Sequence, residues 1–175
     1  MKKVVIFFRN RAINAFTKKR KACVLPDVSR CPSVAVLIDE GELPNSIYLY
    51  EEIRRLFATG NCTIYVVNTL MENKKNYDNI RFITKKSFGF FGLLKASDIA
   101  SLSSVHYDML LNLTTDEESL LADDYVMTVF DASFRVSFGK SLGKLYDLVL
   151  DTKRESIVDK VSVLCKYMTM LTGRR

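Results

Sequence analysis

At 175 residues, 48% hydrophobic and 26% charged, the chain has the length and composition of one globular domain, which excludes the disordered and fibrous classes. No apolar run reaches the roughly 18–20 residues of a bilayer-spanning helix, and Arg9 and Arg11 interrupt the apolar stretch at residues 4–8 before it attains the length of a secretory signal core. The expected location is therefore cytoplasmic, with a membrane-peripheral position left open. The formal net charge of +6 belongs to one segment: Lys2, Lys3, Arg9, Arg11, Lys18, Lys19, Arg20 and Lys21 lie in residues 1–21 with no acid among them, leaving 18 basic residues against 20 acidic ones elsewhere.

Residues 1–21 read as a basic amphipathic helix, because Val5, Phe8, Ala12, Ala15 and Phe16 recur at helical spacing with basic residues largely between them. Pro26, Pro32 and the loss of periodicity mark residues 22–32 as a linker, and residues 33–175 read as a single α/β domain. There the pattern changes to short strands alternating with helices. SVAVLID at residues 33–39 is a continuous apolar run of buried-strand length. Residues 46–58 place Leu49, Ile53, Leu56 and Phe57 on one helical face, and Gly60 stands where a helix stops. Residues 62–68 and 80–84 supply the second and third strands. A short helix near residues 98–104 follows the loop SFGFFG, and residues 107–113 form the fourth strand.

The phrase YDMLLNL at residues 107–113 returns almost unchanged as YDLVLDT at residues 146–152. Each is followed by a capping-box spacing: Thr114 or Thr115 with Glu117 or Glu118, and Thr152 with Glu155. Side chains so spaced satisfy the free backbone N–H groups of a helix start. The repeat thus predicts one strand-to-helix junction used twice rather than a duplicated site. Residues 120–130 form the helix between the junctions and residues 134–139 the fifth strand. The second phrase is the sixth strand, and residues 156–171 are a closing helix with Ile157, Val161, Leu164, Met168 and Leu171 along one stripe. The alternation predicts a three-layer Rossmann-like or flavodoxin-like sandwich of five or six mostly parallel strands with an N-terminal basic amphipathic helix. Strand order is not readable from the pattern.

Ligands of such sheets bind outside the carboxyl ends of the strands, which makes Asp39, Asn112 and Asp151 pocket candidates, with Phe88 and Phe90 of the glycine-aromatic loop as a cover. Phosphate is disfavoured there, because Asp116, Glu117, Glu118 and Glu155 stand at two of the helix starts. FGKS at residues 138–141 lacks the glycine five residues earlier that a P-loop needs, position 134 being Phe. His106, the single histidine, would anchor any triad, yet its place at a strand start reads better as a surface residue. Cys23, Cys31, Cys62 and Cys165 have no zinc or redox spacing, so free thiols are expected, with no metal site and no cofactor.

The basic first helix, SVAVLID, FGFFG, YDMLLNLT and YDLVLD together resemble a family of small bacterial proteins carrying a domain of unknown function; the resemblance implies a Rossmann-like fold and no particular activity or site. Residues 107–139 are similar to a segment of the acceptor half of heptosyltransferase-type glycosyltransferases, but the chain is too short for the nucleotide-sugar half that transfer requires.

Two functions remain in competition. The first is a non-enzymatic binding or adaptor protein that meets RNA, a ribosome or an anionic membrane surface through Lys2, Lys3, Arg9, Arg11, Lys18, Lys19, Arg20 and Lys21. On a membrane, Val5, Phe8 and Phe16 would insert; the equal alternative is that Phe8 and Phe16 pack on the domain and the charges are solvated. The second is a ligand-binding protein or enzyme with its site at the carboxyl ends of the strands, for which no nucleophile and base can be named.

Overall fold

The computed structural model describes residues 2–20, 23, 25–27, 31–69, 78–114, 120–139, 144–151 and 156–172. Six strands form one sheet: β1 (Ser33–Asp39), β2 (Asn61–Thr69), β3 (Ile80–Thr84), β4 (His106–Asn112), β5 (Asp131–Phe138) and β6 (Leu148–Leu150). Their order is β3-β2-β1-β4-β5-β6 with every pair parallel. This is the doubly wound order, in which the chain builds outward in one direction from β1, then returns and builds outward in the other.

The helices are α1 (Lys2–Lys19), α2 (Ser46–Phe57), α3 (Ala96–Ser103), α4 (Leu120–Val129) and α5 (Ile157–Leu171). Alternation along each strand sends side chains to two separate cores. Val34, Val36, Ile64, Val66, Met109 and Leu111 pack under α2 and α5. Ala35, Leu37, Tyr65, Val67, Tyr107 and Leu110 pack under α4, joined by Ile13 and Phe16 of α1. Burial of β1 through all five of its central residues explains why its sequence reads as an unbroken apolar run.

The first helix is part of the second helical layer and lies along α4. Its first half is fastened to the loop after β3, where Arg9 Nε donates to the Gly92 carbonyl at 2.9 Å and its guanidinium lies over the Phe88 ring. Its far end is fastened before β6, where Arg20 donates to the Leu145 carbonyl at 2.7 Å and pairs with Asp147. Between them Phe16 stacks on the guanidinium of Arg135, a buried β5 residue that also donates to the Phe130 and Ala132 carbonyls at 2.8 Å. The chain then reaches the opposite face, where Cys23, Leu25 and Cys31 pack against the core of α2 and α5 before β1 begins.

Several boundaries differ from the sequence pattern, β5 for one beginning at Asp131 rather than at residue 134. The sixth strand is three residues, Leu148–Leu150; ahead of it the Tyr146 hydroxyl bonds Asp124 of α4, and the Asp147 carboxylate pairs with Arg20 and accepts from the Arg135 N–H of β5. The closing helix is capped by Ser156, whose Oγ accepts from the Asp159 N–H at 3.2 Å and donates to the Asp159 carboxylate at 2.7 Å. The expected partners Thr115, Glu117, Glu118, Thr152 and Glu155 lie outside the described residues. Thr114 is buried, and its hydroxyl and N–H both go to Asn112.

Candidate functional site

The strand order reverses between β1 and β4, and the carboxyl ends of these two strands hold Asp39 and Asn112, Leu37 being paired with Asn112 and Asp39 lying two residues beyond that pair. Asp39 leads directly into a short 3-10 turn, Glu40–Asn45, that adds Glu40 and Glu42. A carboxylate-rich rim of this kind disfavours a phosphate. Asn112 is only 1% exposed and both ends of its amide are bonded: Nδ2 donates to the Tyr146 hydroxyl at 2.8 Å, while Oδ1 accepts from the Thr114 N–H and hydroxyl. Tyr146 in turn donates to Asp124 at 2.5 Å. Burial, followed by the charge of Asp124, pushes the Tyr146 phenol far above its ordinary value, so this hydroxyl stays protonated and keeps its donor role.

The remaining pocket candidates do not converge with these two. Asp151 is exposed at the end of β6, two strands away from β4. Phe88 is half-buried beneath Arg9, and Phe90 stands 76% exposed at the tip of its loop. The Asn112–Tyr146–Asp124 chain therefore ties β4 to α4 and to the segment before β6. Asp123, Asp124, Tyr125 and Tyr146 are buried polar residues that the strand-end argument missed. A pair of aspartates inside the apolar stretch LLADDYVMTVF was the available signal, since carboxylates on an apolar helix are buried only with partners.

His106 lies between two partners on the neighbouring strand, with Nδ1 3.0 Å from Asp131 and Nε2 3.1 Å from the Ser133 hydroxyl. The sequence Asp–His–Ser matches an acyl-transfer triad in connectivity. However, the His106 and Asp131 side chains are 52% and 59% exposed, and water competes for every bond. A triad works with a buried carboxylate and oxyanion donors facing the nucleophile. The trio is cross-strand polar pairing at the amino ends of β4 and β5.

The basic residues of the first helix divide into two sets. Arg9 and Arg20 turn toward the protein, as described above, and burial lowers the pKa of Arg9 while Asp123 and then Tyr125 oppose the shift. Lys3, Arg11, Lys18 and Lys19 are exposed. The side chain of Lys2 and the whole of Lys21 lie outside the described residues. The apolar residues divide as well. Val5 lies against Gly92, Phe8 against Phe91 at 4.8 Å between centroids, and Phe16 on Arg135, so these three face the protein. The outward apolar residues are Val4, Ile6 and Phe7, the last 59% exposed.

Phe7, Phe8, Phe91 and Phe90 form a continuous chain of ring contacts with centroid separations of 5.5, 4.8 and 5.4 Å. Phe91, at 48% exposed, and Phe90 carry this cluster from the helix onto the loop, and exposed Lys85 and Lys95 lie to either side of that loop in sequence. Lys3, Phe7, Arg11, Ala15, Lys18 and Lys19 share one outward helical face by their spacing. No described helix is long and apolar enough to cross a membrane.

Among known families, the model described as a family of unknown function (DUF6913) matches residues 6–171. No curated protein and no solved structure matches the chain, and the local likeness to heptosyltransferases finds no support in these comparisons.

Proposed function

The chain belongs to this family of unknown function, and we propose that it is a non-enzymatic docking protein whose α1 face and adjoining FGFFG loop seat on an anionic lipid surface. The observation that carries this reading is the exposed cluster Phe7–Phe91–Phe90, set beside Val4 and Ile6 and sharing a helix face with Lys3, Arg11, Lys18 and Lys19. Each cation near an anionic leaflet contributes on the order of 1 kcal/mol, and apolar side chains gain by leaving water for the headgroup boundary. A nucleic acid would also use the charges and would stack bases on rings. Val4 and Ile6 offer no stacking surface, and the Phe7–Phe8 and Phe90–Phe91 pairs meet edge to face at 81° and 85°. Removal from water is the interaction common to the whole patch.

Sedimentation with neutral and acidic vesicles, at low and high salt, tests the reading. The full chain is expected to bind acidic vesicles. K3E/R11E/K18E/K19E is expected to lose binding, and F7S/F90S/F91S to retain a weaker, more salt-sensitive form, both with wild-type melting temperature. Equal binding by the charge-reversed variant, or a preference for RNA over acidic vesicles at matched salt, overturns it.

A further inference from the structure

A second feature lies away from both the carboxyl ends of the strands and the α1 face. Between α3 and the β2–β3 side of the sheet is a cleft of about 270 Å³, lined in part by Tyr65, Arg81, Asp98, Ser101, Ser104 and Tyr107. The cleft follows from the short α3, which packs only lightly on α4 and leaves the sheet beside the edge strand β3 uncovered. Strand alternation places Tyr65 with Tyr107 in the core on this face, and Arg81 lies between Ile80 and Phe82, which pack with the opposite core.

The floor of the cleft is polar and incompletely bonded. Tyr65 and Tyr107 are 4% and 2% exposed, and their hydroxyls meet at 3.0 Å. Two phenols joined by one hydrogen bond hold two hydroxyl hydrogens, and only one of them lies in that bond. Among the described residues the other has no acceptor, so a nearly buried donor in the lining of the cleft is left without a partner. Burial and then the Tyr107 hydroxyl push the Tyr65 phenol up, while the Arg81 guanidinium acts in the opposite sense, so the Tyr65 hydroxyl keeps its proton at neutral pH. Arg81 is exposed and makes no ion pair among the described residues, which leaves its five-donor fork open. Asp98, half-buried in the first turn of α3, brings a carboxylate to the same space.

From this juxtaposition we propose that the cleft binds a small zwitterion, a molecule with a carboxylate for Arg81 and the tyrosine hydroxyls and an ammonium group for Asp98. A simple anion would be repelled by Asp98 and a simple cation by Arg81, whereas a free α-amino acid satisfies both charges and the spare donor. The volume of about 270 Å³ suits a molecule of that size.

The test is calorimetric titration of the full chain with each standard amino acid, and, for those that bind, with the matching amine lacking the carboxylate and the acid lacking the ammonium group. The expected result is sub-millimolar binding of at least one amino acid, with each stripped analogue weaker by at least about tenfold, the worth of one charge-assisted hydrogen bond. R81M and D98N are expected to weaken binding by a similar factor with unchanged melting temperature, Arg81 being exposed. Y65F reports on the buried donor. Binding by none of the amino acids, binding unaffected by R81M and D98N, or equal binding of a stripped analogue overturns the proposal.

Discussion

Gly92 has φ +70°, and a Cβ built there would lie 2.3 Å from Cγ1 of Val5. Both facts arise from one seam: the loop after β3 must turn sharply enough for its Gly92 carbonyl to accept from Arg9 while the first turns of α1 press against it. An alanine at position 92 would meet the left-handed penalty of about 1–2 kcal/mol and an overpacking cost of about 1–3 kcal/mol. Val is β-branched and cannot rotate freely out of the way. G92A is therefore expected to lower unfolding stability by about 2–5 kcal/mol in urea titrations. Adding V5A should recover the packing part and leave the backbone part. A G92A protein with wild-type stability would show that this seam is not held in solution.

The thiols make a second residue-scale case. Burial pushes Cys31 up to about 12, with the charge of Asp108 adding to it, and burial pushes Cys62 to about 12 against the opposing charge of Arg54. Cys23 and Cys165 are also raised, chiefly by burial, but both are half-exposed. At pH near 8 the folded chain should alkylate at Cys23 and Cys165 slowly and at Cys31 and Cys62 hardly at all, whereas the unfolded chain should react at all four. The sign of the linked stability follows: a thiol with a folded pKa above its unfolded value near 9 stabilises the fold fully below pH 9 and loses that contribution as pH rises toward 12. At pH near 10.5 the loss is about 2 kcal/mol per thiol, to be read as a fall in urea midpoint between pH 8 and 10.5. An unchanged midpoint would contradict the burial of both.

At the scale of elements, legibility followed the source of each signal. The unbroken apolar run of β1 and the single apolar faces of α2 and α5 were readable because burial against one or two layers imposes a period on the sequence. The start of β5 at Asp131 was not readable. Asp131, Ala132 and Ser133 lie at the exposed amino end of the strand, where pairing with β4 is backbone work and leaves no apolar mark. The shortening of β6 was hidden for the opposite reason: YDLVLD looks like a strand throughout, but Tyr146 and Asp147 serve tertiary bonds. Basic and amphipathic character announced α1 but left open whether its apolar stripe meets a membrane or the domain; Val5, Phe8 and Phe16 are directed toward the protein, and Val4, Ile6 and Phe7 outward. Periodicity locates a stripe; which stripe a domain takes depends on partners far away in sequence. Asp39 and Asn112 end neighbouring strands for a readable reason, the doubly wound plan, while the closure of Asn112 by Tyr146 rests on a contact 34 residues distant.

For the whole molecule, the question is why an extra helix precedes a doubly wound sheet at all. Parallel neighbours need a crossover, usually a helix laid on one face. The connection from β5 to β6 spans residues 139–147, and its described residues contribute no helix. The face it would cover is occupied by α1, which stacks Phe16 on Arg135 of β5 and pins Leu145 and Asp147 just ahead of β6. The first helix thus completes the second layer from outside the regular alternation. Buried Ile13, with Ala12 and Phe16 packed beside it, contributes on the order of 5 kcal/mol, comparable to the net stability of about 5–15 kcal/mol of an ordinary domain. A chain beginning at Ser33 is therefore expected to lose its cooperative thermal transition and its near-ultraviolet tyrosine signal, and to bind hydrophobic dyes. The charge-reversed K3E/R11E/K18E/K19E chain should keep both signals, because those side chains are exposed. A cooperative transition in the truncated chain would show instead that α1 is an appendage whose core contacts are dispensable. The same helix would then serve docking alone, and its inward arginines, Arg9 and Arg20, would have no structural work to do.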